Sequence, residues 1–289
     1  MPGTVLDVKG KKEKSVSQKV CMENVAVVLH DTRIPENIGA AARAAANMGV
    51  RQLILSAPRT LDMERVLKVA THSAAGLVEN MTVCNTLSEA LGAFNWIVGT
   101  TARLGGTRRV NSSPADLALE LIPISLENRV AVLFGPEDRG LTNEDLQLCH
   151  DLVNIPTAGF SSLNLAQAVM VMCYELFKAR TRAPEFHVPK LACRYELENM
   201  YEELKDTFAR IHYVNHENPE HRLDKARSFL SRYRLRSREV SIIRGLCRQV
   251  ARYGRKSYQD GVAAGAAGGP KIQETLSLMD LPDRRDVSK

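Results

Sequence analysis

Three short segments carry side chains that could do chemistry together: Asn37-Ile-Gly-Ala-Ala-Ala-Arg43, Phe134-Gly-Pro-Glu-Asp-Arg-Gly-Leu141, and Ser161-Ser-Leu-Asn164 inside the polar loop that starts at Asn154. Each falls just after a run that reads as an apolar strand, so the three can close on one pocket at the strand ends. They offer a guanidinium, a carboxylate, two amides and two hydroxyls, a set suited to holding and orienting a ligand by hydrogen bonds. Asn37 and Arg43 lie six residues apart on a helix, roughly on opposite sides, and face different things. Taken singly, each residue has a plainer reading. Arg43 is as readily a solvated surface arginine, Glu137 a turn carboxylate in Gly-Pro-Glu-Asp, and Ser161 or Ser162 the cap of the helix that follows. Their co-occurrence in one order is what favours a shared site.

The elements that must position them alternate along the chain. Val25–Leu29, Leu53–Leu55, Trp96–Gly99, Val130–Phe134 and Leu152–Ile155 read as short, almost wholly apolar strands. Ile38–Met48, Leu87–Phe94, Ala115–Glu120, Asn143–Leu148 and Leu163–Phe177 read as helices between or after them, the first ended by Gly49. Strands without polar alternation, interleaved with helices, predict a mostly parallel sheet covered on both faces. After Pro184 and Pro189 the pattern changes. Leu197, Tyr201, Leu204, Phe208 and Ile211 mark one helix face, and a small all-α domain is expected there.

Charge separates the two parts. The chain has 289 residues and a formal net charge of +6, but Arg222 to Lys256 holds twelve Lys/Arg against Asp224 and Glu239. That segment is +10 and the remainder −4, an asymmetry that points to a polyanion, nucleic acid first. The first nineteen residues are Lys-rich without periodicity and read as a mobile tail; Gly261 to Pro270 is Gly/Ala-rich and reads as outside the core. No run of eighteen apolar residues suggests a membrane span or secretory signal. Six scattered cysteines, with no C-x-x-C pair and no histidine at ligand spacing, predict a reduced, cytoplasmic, metal-free protein. No G-x-G-x-x-G follows a strand and no G-K-[ST] occurs, which disfavours dinucleotide and P-loop enzymes.

The three segments resemble motifs one, two and three of the SPOUT RNA methyltransferases, in the branch that methylates the ribose 2′-hydroxyl. Asn37, Gly39 and Arg43 match the first; Gly135, Glu137 and Gly140-Leu141 the second; Ser161, Ser162, Leu163 and Asn164 the third. The likeness spans roughly Val25 to Glu175. Phe229-Leu-Ser-Arg-Tyr-Arg-Leu-Arg-Ser-Arg-Glu and Ile243-Arg-Gly-Leu then resemble the basic helical extension of the TrmJ type, which acts on C or U at anticodon-loop position 32 of tRNA. Pro136 departs from the pattern, standing where a basic residue can occur.

The resemblance implies a trefoil-knotted α/β domain, exceptional among folds, and a homodimer with its active site at the interface. It implies S-adenosylmethionine as methyl donor, no metal, and tRNA as partner. Thr100, Thr101, Ala102, Gly135, Ile155, Ser161, Ser162 and Leu163 would form the donor site, and Arg43, Asn37, Glu137, Ser162 and Asn164 the catalytic set. Arg43 would reach the donor pocket of the other chain. Because a guanidinium is a poor base, Arg43 is expected to orient the hydroxyl and its phosphate. Arg232, Arg234, Arg236, Arg238, Arg244 and Arg248 would grip the tRNA backbone. The expected organisation is a basic tail over 1–21, the methyltransferase domain over 22–182, a linker over 183–194, the helical RNA-binding domain over 195–258 and a low-complexity tail over 259–289. Methylation of ribosomal RNA or of another tRNA position, and a non-catalytic RNA-binding protein that keeps the fold, are the competing readings.

Overall fold

The computed structural model describes residues 18–102, 113–158, 163–181, 188–211, 213, 225–227, 229–231 and 233–266. Six parallel strands form the main sheet: β2 (Val25–His30), β3 (Gln52–Ser56), β4 (Thr82–Cys84), β5 (Trp96–Thr100), β6 (Val130–Phe134) and β7 (Asp151–Val153). Their spatial order is β4-β3-β2-β6-β5-β7. From β2 the chain winds outward to β4, crosses to β5, returns to place β6 against β2, and passes over β5 to β7. The reversal lies between β2 and β6, so the loops leaving β2, β5 and β6 share one end of the sheet, where parallel α/β folds form their clefts.

Both sheet faces are buried, which accounts for the unbroken apolar strands. Val25, Val27, Leu29, Val130, Val132 and Phe134 point into one core; Ala26, Val28, Ala131 and Leu133 point into the other. The first core is covered by α1 (Pro35–Asn47), α2 (Met63–Glu79), α4 (Pro114–Ser125) and α6 (Leu165–Lys178). The second lies under α3 (Leu87–Leu91) and α5 (Asn143–Gln147). The alanines of α1 let it lie close to α2 and α6, and Gly39 is the closest point: a Cβ there would overlap the carbonyl oxygen of Val66. The helix stops at Gly49, whose φ of +82° suits a residue without a side chain.

Two elements of the six-stranded sheet and its cover escaped the sequence reading. Helix α2 is amphipathic, but it carries a break at Thr71 (φ 62°, ψ 171°) that interrupts its periodicity. Strand β4 is three residues long at the sheet edge, with two of the three exposed. The tail expected through residue 21 also ends earlier. Gln18–Lys19 form β1, pairing antiparallel with β8 (Arg180–Thr181), and Val20 is buried.

The C-terminal helices α7 (Arg194–Arg210) and α8 (Ser237–Ala266) pack on one another around Leu197, Met200, Tyr201 and Val240. The segment from Val188 to Cys193, expected as a linker, is pinned rather than slack. Buried Asn128 accepts from Leu191 N at 2.7 Å, and buried Asn95 donates Nδ2 to Leu191 O at 2.8 Å. Arg194 N and Tyr195 N then donate to the carbonyls of Phe94 and Gly92, each at 3.0 Å. At the same seam His150 stacks on Trp96 with centroids 4.7 Å apart, and Arg234 covers the Trp96 ring at 4.9 Å. Helix α8 runs to Ala266, past the expected boundary at 258, because its alanines favour helix despite the intervening glycines. Every residue from 252 to 265 is exposed, so this half of α8 projects from the body.

Candidate active site

A cleft of about 290 Å³ opens at the carboxyl ends of β5 and β6. Thr100, Thr101, Ala102, Gly135, Ile155 and Leu163 all line it, together with Phe134, Leu141 and Leu165. Ser161 and Ser162 lie outside the described residues. The loops are fastened to the sheet: Thr100 Oγ1 donates to Leu133 O at 3.0 Å, Thr101 N to Val153 O at 3.0 Å, and Asn154 Nδ2 to Thr101 O at 2.9 Å. Gly135 serves the loop itself. A Cβ on it would overlap Leu141 N, where the chain doubles back through Gly140 at φ +66°. The lining thus combines apolar side chains with backbone polar groups, the mix that small-molecule clefts use.

Beside the cleft three predicted residues form a directed chain. Asn164 Nδ2 donates to Asn37 Oδ1 at 3.0 Å, and Asn37 Nδ2 donates to Glu137 Oε1 at 2.9 Å. The other Glu137 oxygen accepts from Arg33 N at 3.3 Å. Asn164, not a serine, is the cap of α6: its Oδ1 accepts from Ala166 N at 2.9 Å, and Gln167 completes a capping box. The helix begins at Leu165, too far along for Ser161 or Ser162 to serve as its cap. One asparagine therefore caps α6 and ties it to α1, whose first turn carries Asn37.

Arg43 is not part of that chain. It lies six residues beyond Asn37, about 9 Å along α1 and on another side of it. Among the described residues it is exposed and forms no ion pair.

The sequence reading missed an ionic clamp at the cleft mouth. Asp31 is buried in a left-handed conformation (φ 53°) directly after β2. Its carboxylate accepts from Arg59 Nε at 2.6 Å and Nη2 at 3.0 Å, and from Arg139 Nη2 at 2.6 Å. The Arg59 hydrogen bond, with the charges of Arg59 and Arg139, holds the Asp31 carboxyl below its ordinary range against the opposing effect of burial. Arg33 Nη1 pairs with Asp138 at 2.9 Å. Loop 137–139 is thus gripped at three successive residues by the β2–α1 segment. Arg139 stands two residues after Glu137 in the second motif, which was the available signal; Asp31 gave none beyond its place in a turn.

On the C-terminal helices the basic residues divide. Arg244 donates Nη2 and Nε to Glu203 Oε1 at 2.7 and 2.9 Å, so its charge is matched inside the fold, where it ties α8 to α7. Arg248 lies 3.7 Å from the same carboxylate but is 61% exposed. Arg234, Arg236 and Arg238 are exposed, and Arg232 lies outside the described residues. Arg248, Arg252 and Lys256 follow each other at four-residue spacing on one exposed flank of α8. That spacing could have singled out Arg252 and Lys256 from the sequence.

No metal-binding cluster of His, Cys, Asp or Glu occurs among the described residues, and no helix among them is long and apolar enough to cross a membrane. The thiols of partly buried Cys149 and buried Cys173 are each pushed up to about 12 by desolvation, which disfavours both as nucleophiles.

Comparison with known proteins places this geometry. Residues 24–174 match the SpoU rRNA Methylase family, and residues 195–259 match the tRNA methyltransferase TrmJ, C-terminal domain. The tRNA (cytidine/uridine/adenosine-2′-O-)-methyltransferase TrmJ of Pseudomonas aeruginosa (strain UCBPP-PA14) is 33% identical over 251 residues, covering 81% of this chain and 96% of that protein. The tRNA (cytidine/uridine-2′-O-)-methyltransferase TrmJ of Escherichia coli (strain K12) is 32% identical over 232 residues, 78% of this chain and 94% of that protein. The crystal structure of TrmJ from Z. mobilis ZM4 superposes with a TM-score of 0.68 at 29% identity, covering 78% of this chain and 98% of that one. With both parts matched in order along one chain, it belongs to the SpoU methylase family, as a TrmJ-type, S-adenosylmethionine-dependent RNA methyltransferase.

Proposed function

We propose that this protein methylates the ribose 2′-hydroxyl of tRNA, at position 32 of the anticodon loop. The observation that carries the reading is the joining, in one chain, of the cleft at β5 and β6 to helices matched by the TrmJ C-terminal domain, with exposed arginines on the outer flank of α8. The relatives' names supply the tRNA and the 2′-O chemistry; position 32 rests on the likeness of the basic helices.

The cleft fits S-adenosylmethionine in kind. Its apolar side chains from Phe134, Leu141, Ile155 and Leu165 suit a stacked base, and its loop backbone can read a base edge. When bound, the donor supplies an electrophilic methyl group. The chain's own residues then have three tasks: to fix the loops, to hold the ribose oxygen in line, and to steady the charge that develops on it. The Asn164–Asn37–Glu137 chain performs the first by locking α6, α1 and loop 135–141 together. Arg43 performs the second and third, orienting the hydroxyl and its phosphate; the proton leaves to that phosphate or to water, since a guanidinium stays protonated.

Arg43 is exposed on another side of α1 from Asn37, which favours its use by a second copy. We infer a homodimer in which Arg43 of one protomer completes the cleft of its partner. Exposed Tyr174 and Phe177 on α6, and Ile34 before α1, offer apolar surface of the kind such a contact uses. The passage of the chain from β6 over β5 to β7 and back through α6 supports a trefoil knot around the cleft loops.

The test is incubation with labelled donor and bulk tRNA, followed by mapping of the modified nucleotide. A 2′-O-methyl at position 32 is expected, and none on a substrate with deoxyribose there. Arg43→Ala should abolish transfer with donor affinity nearly intact by calorimetry. Label at another nucleotide would overturn the position, and substantial turnover by Arg43→Ala would overturn its role.

A further inference from the structure

The geometry points to Arg59 and Arg139 as a paired phosphate grip at the cleft mouth, positioned by Asp31, that holds the RNA backbone beside the methylated nucleotide. The inference rests on the reading of the chain as a tRNA methyltransferase. Asp31 alone explains only part of the cluster. Its buried carboxylate is already served by Arg59, which binds it through two N–H groups. Arg139 is brought to the same oxygen from the loop after β6, so two guanidiniums from different loops converge on one carboxylate.

Placement separates RNA from the donor as the ligand. Arg139 lines the cleft and Arg59 does not, so a group that touches both lies at the rim, outside the donor space. Both guanidiniums are about half exposed, at 48% for Arg59 and 45% for Arg139, while Asp31 is 12% exposed beneath them. Arg59 is held along its Nε–Nη2 edge, which leaves the rest of the planar group turned outward. Two guanidiniums fixed on one carboxylate lose little side-chain freedom on binding, and their forks match phosphate oxygens. They come from loops after β3 and β6, on either side of β2, so the grip spans the switch in strand order beside the cleft.

The test is tRNA binding by filter retention across a salt series, for the full chain and for Arg59→Gln and Arg139→Gln, with donor affinity measured beside it. Each substitution is expected to weaken tRNA binding several-fold at low salt and to reduce the slope of log affinity against log salt by about 0.7 to 0.9, the loss of one phosphate contact. Donor affinity should not change in Arg59→Gln, which lies outside the cleft, and Arg59→Lys should restore most of the slope. An unchanged slope in both Gln variants, with the unaltered protein still methylating tRNA, overturns the grip and leaves the functional reading standing. A fall in donor affinity without a fall in tRNA affinity also overturns it, assigning the pair to the donor. Failure of the unaltered protein to bind tRNA overturns the functional reading and the grip together.

Discussion

Exchanging the polarity of one hydrogen bond would test whether the Asn164–Asn37–Glu137 chain is a single unit. Asn37→Asp replaces the donating Nδ2 with a carboxylate oxygen that faces Glu137 Oε1 at the 2.9 Å now spanned by the bond. Two unit charges at that distance repel by about 1.4 kcal/mol in water and about 6 at an effective dielectric of 20. Both residues are partly exposed, which keeps the cost near the lower figure, about 2 kcal/mol. Loss of the charge-assisted bond adds about 1.5 to 3 kcal/mol, so the single variant should lose about 3 to 5 kcal/mol. Glu137→Gln alone removes the charge but can still accept from Asn37, and should lose about 1 kcal/mol. In the double variant the new amide at position 137 donates to the new carboxylate at position 37, while Asn164 Nδ2 still donates to that carboxylate. Urea unfolding of all four proteins at pH 7 should show the double variant at least about 2 kcal/mol more stable than the sum of the single losses. Losses that add to within about 0.5 kcal/mol would refute the chain as a unit and reduce it to two independent contacts.

Gly39→Ala places a methyl against the Val66 carbonyl between α1 and α2; a loss of about 1 to 3 kcal/mol is expected by thermal or urea unfolding, and an unchanged stability would show that these helices part freely. His150 is pulled down to about 3, first by burial and then by the nearby Arg194 charge. It is therefore neutral in the folded chain while the unfolded chain takes up a proton below about pH 6.5. Stability should fall from pH 6.5 to 4.5, by up to about 1.4 kcal/mol per unit, and His150→Asn, which keeps an acceptor for Ile97 N, should flatten that window. Arg244→Ala should lower stability with little change in the salt slope of tRNA binding, whereas Arg252→Ala should do the reverse; the same response from both would erase the distinction drawn between them.

The parts of the fold that could be read from the chain are those whose local pattern and tertiary place agree. The strands at Val25–His30, Val130–Phe134 and Trp96–Thr100 are buried on both sides, so composition alone marks them. Helix α2 was not legible because the break at Thr71 disrupts its period, and β4 because an exposed edge strand of three residues has no pattern to show. Among the site residues, Asn37, Glu137 and Asn164 sit in short motifs, yet nothing in the sequence fixes which of them bond to which. Their pairing depends on β6 lying beside β2, a contact between residues about a hundred apart. Asp31 and Arg59 carried no motif and became visible only when three strand ends met. The converse holds at Arg244, whose place in a basic run suggests RNA and whose guanidinium meets Glu203 on α7 inside the fold. Charge counts sum over a segment, but pairing is decided side chain by side chain.

The pins at Asn95 and Asn128 give the molecule a fixed gauge. With Leu191 held from both sides and Arg234 laid over Trp96, the helices cannot swing relative to the cleft without stripping hydrogen bonds from buried amides. The separation between the flank of α8 and the cleft mouth is then a built length, like the jaws of a calliper. Under the proposed function, an RNA that touches both the flank of α8 and the cleft has to span that length.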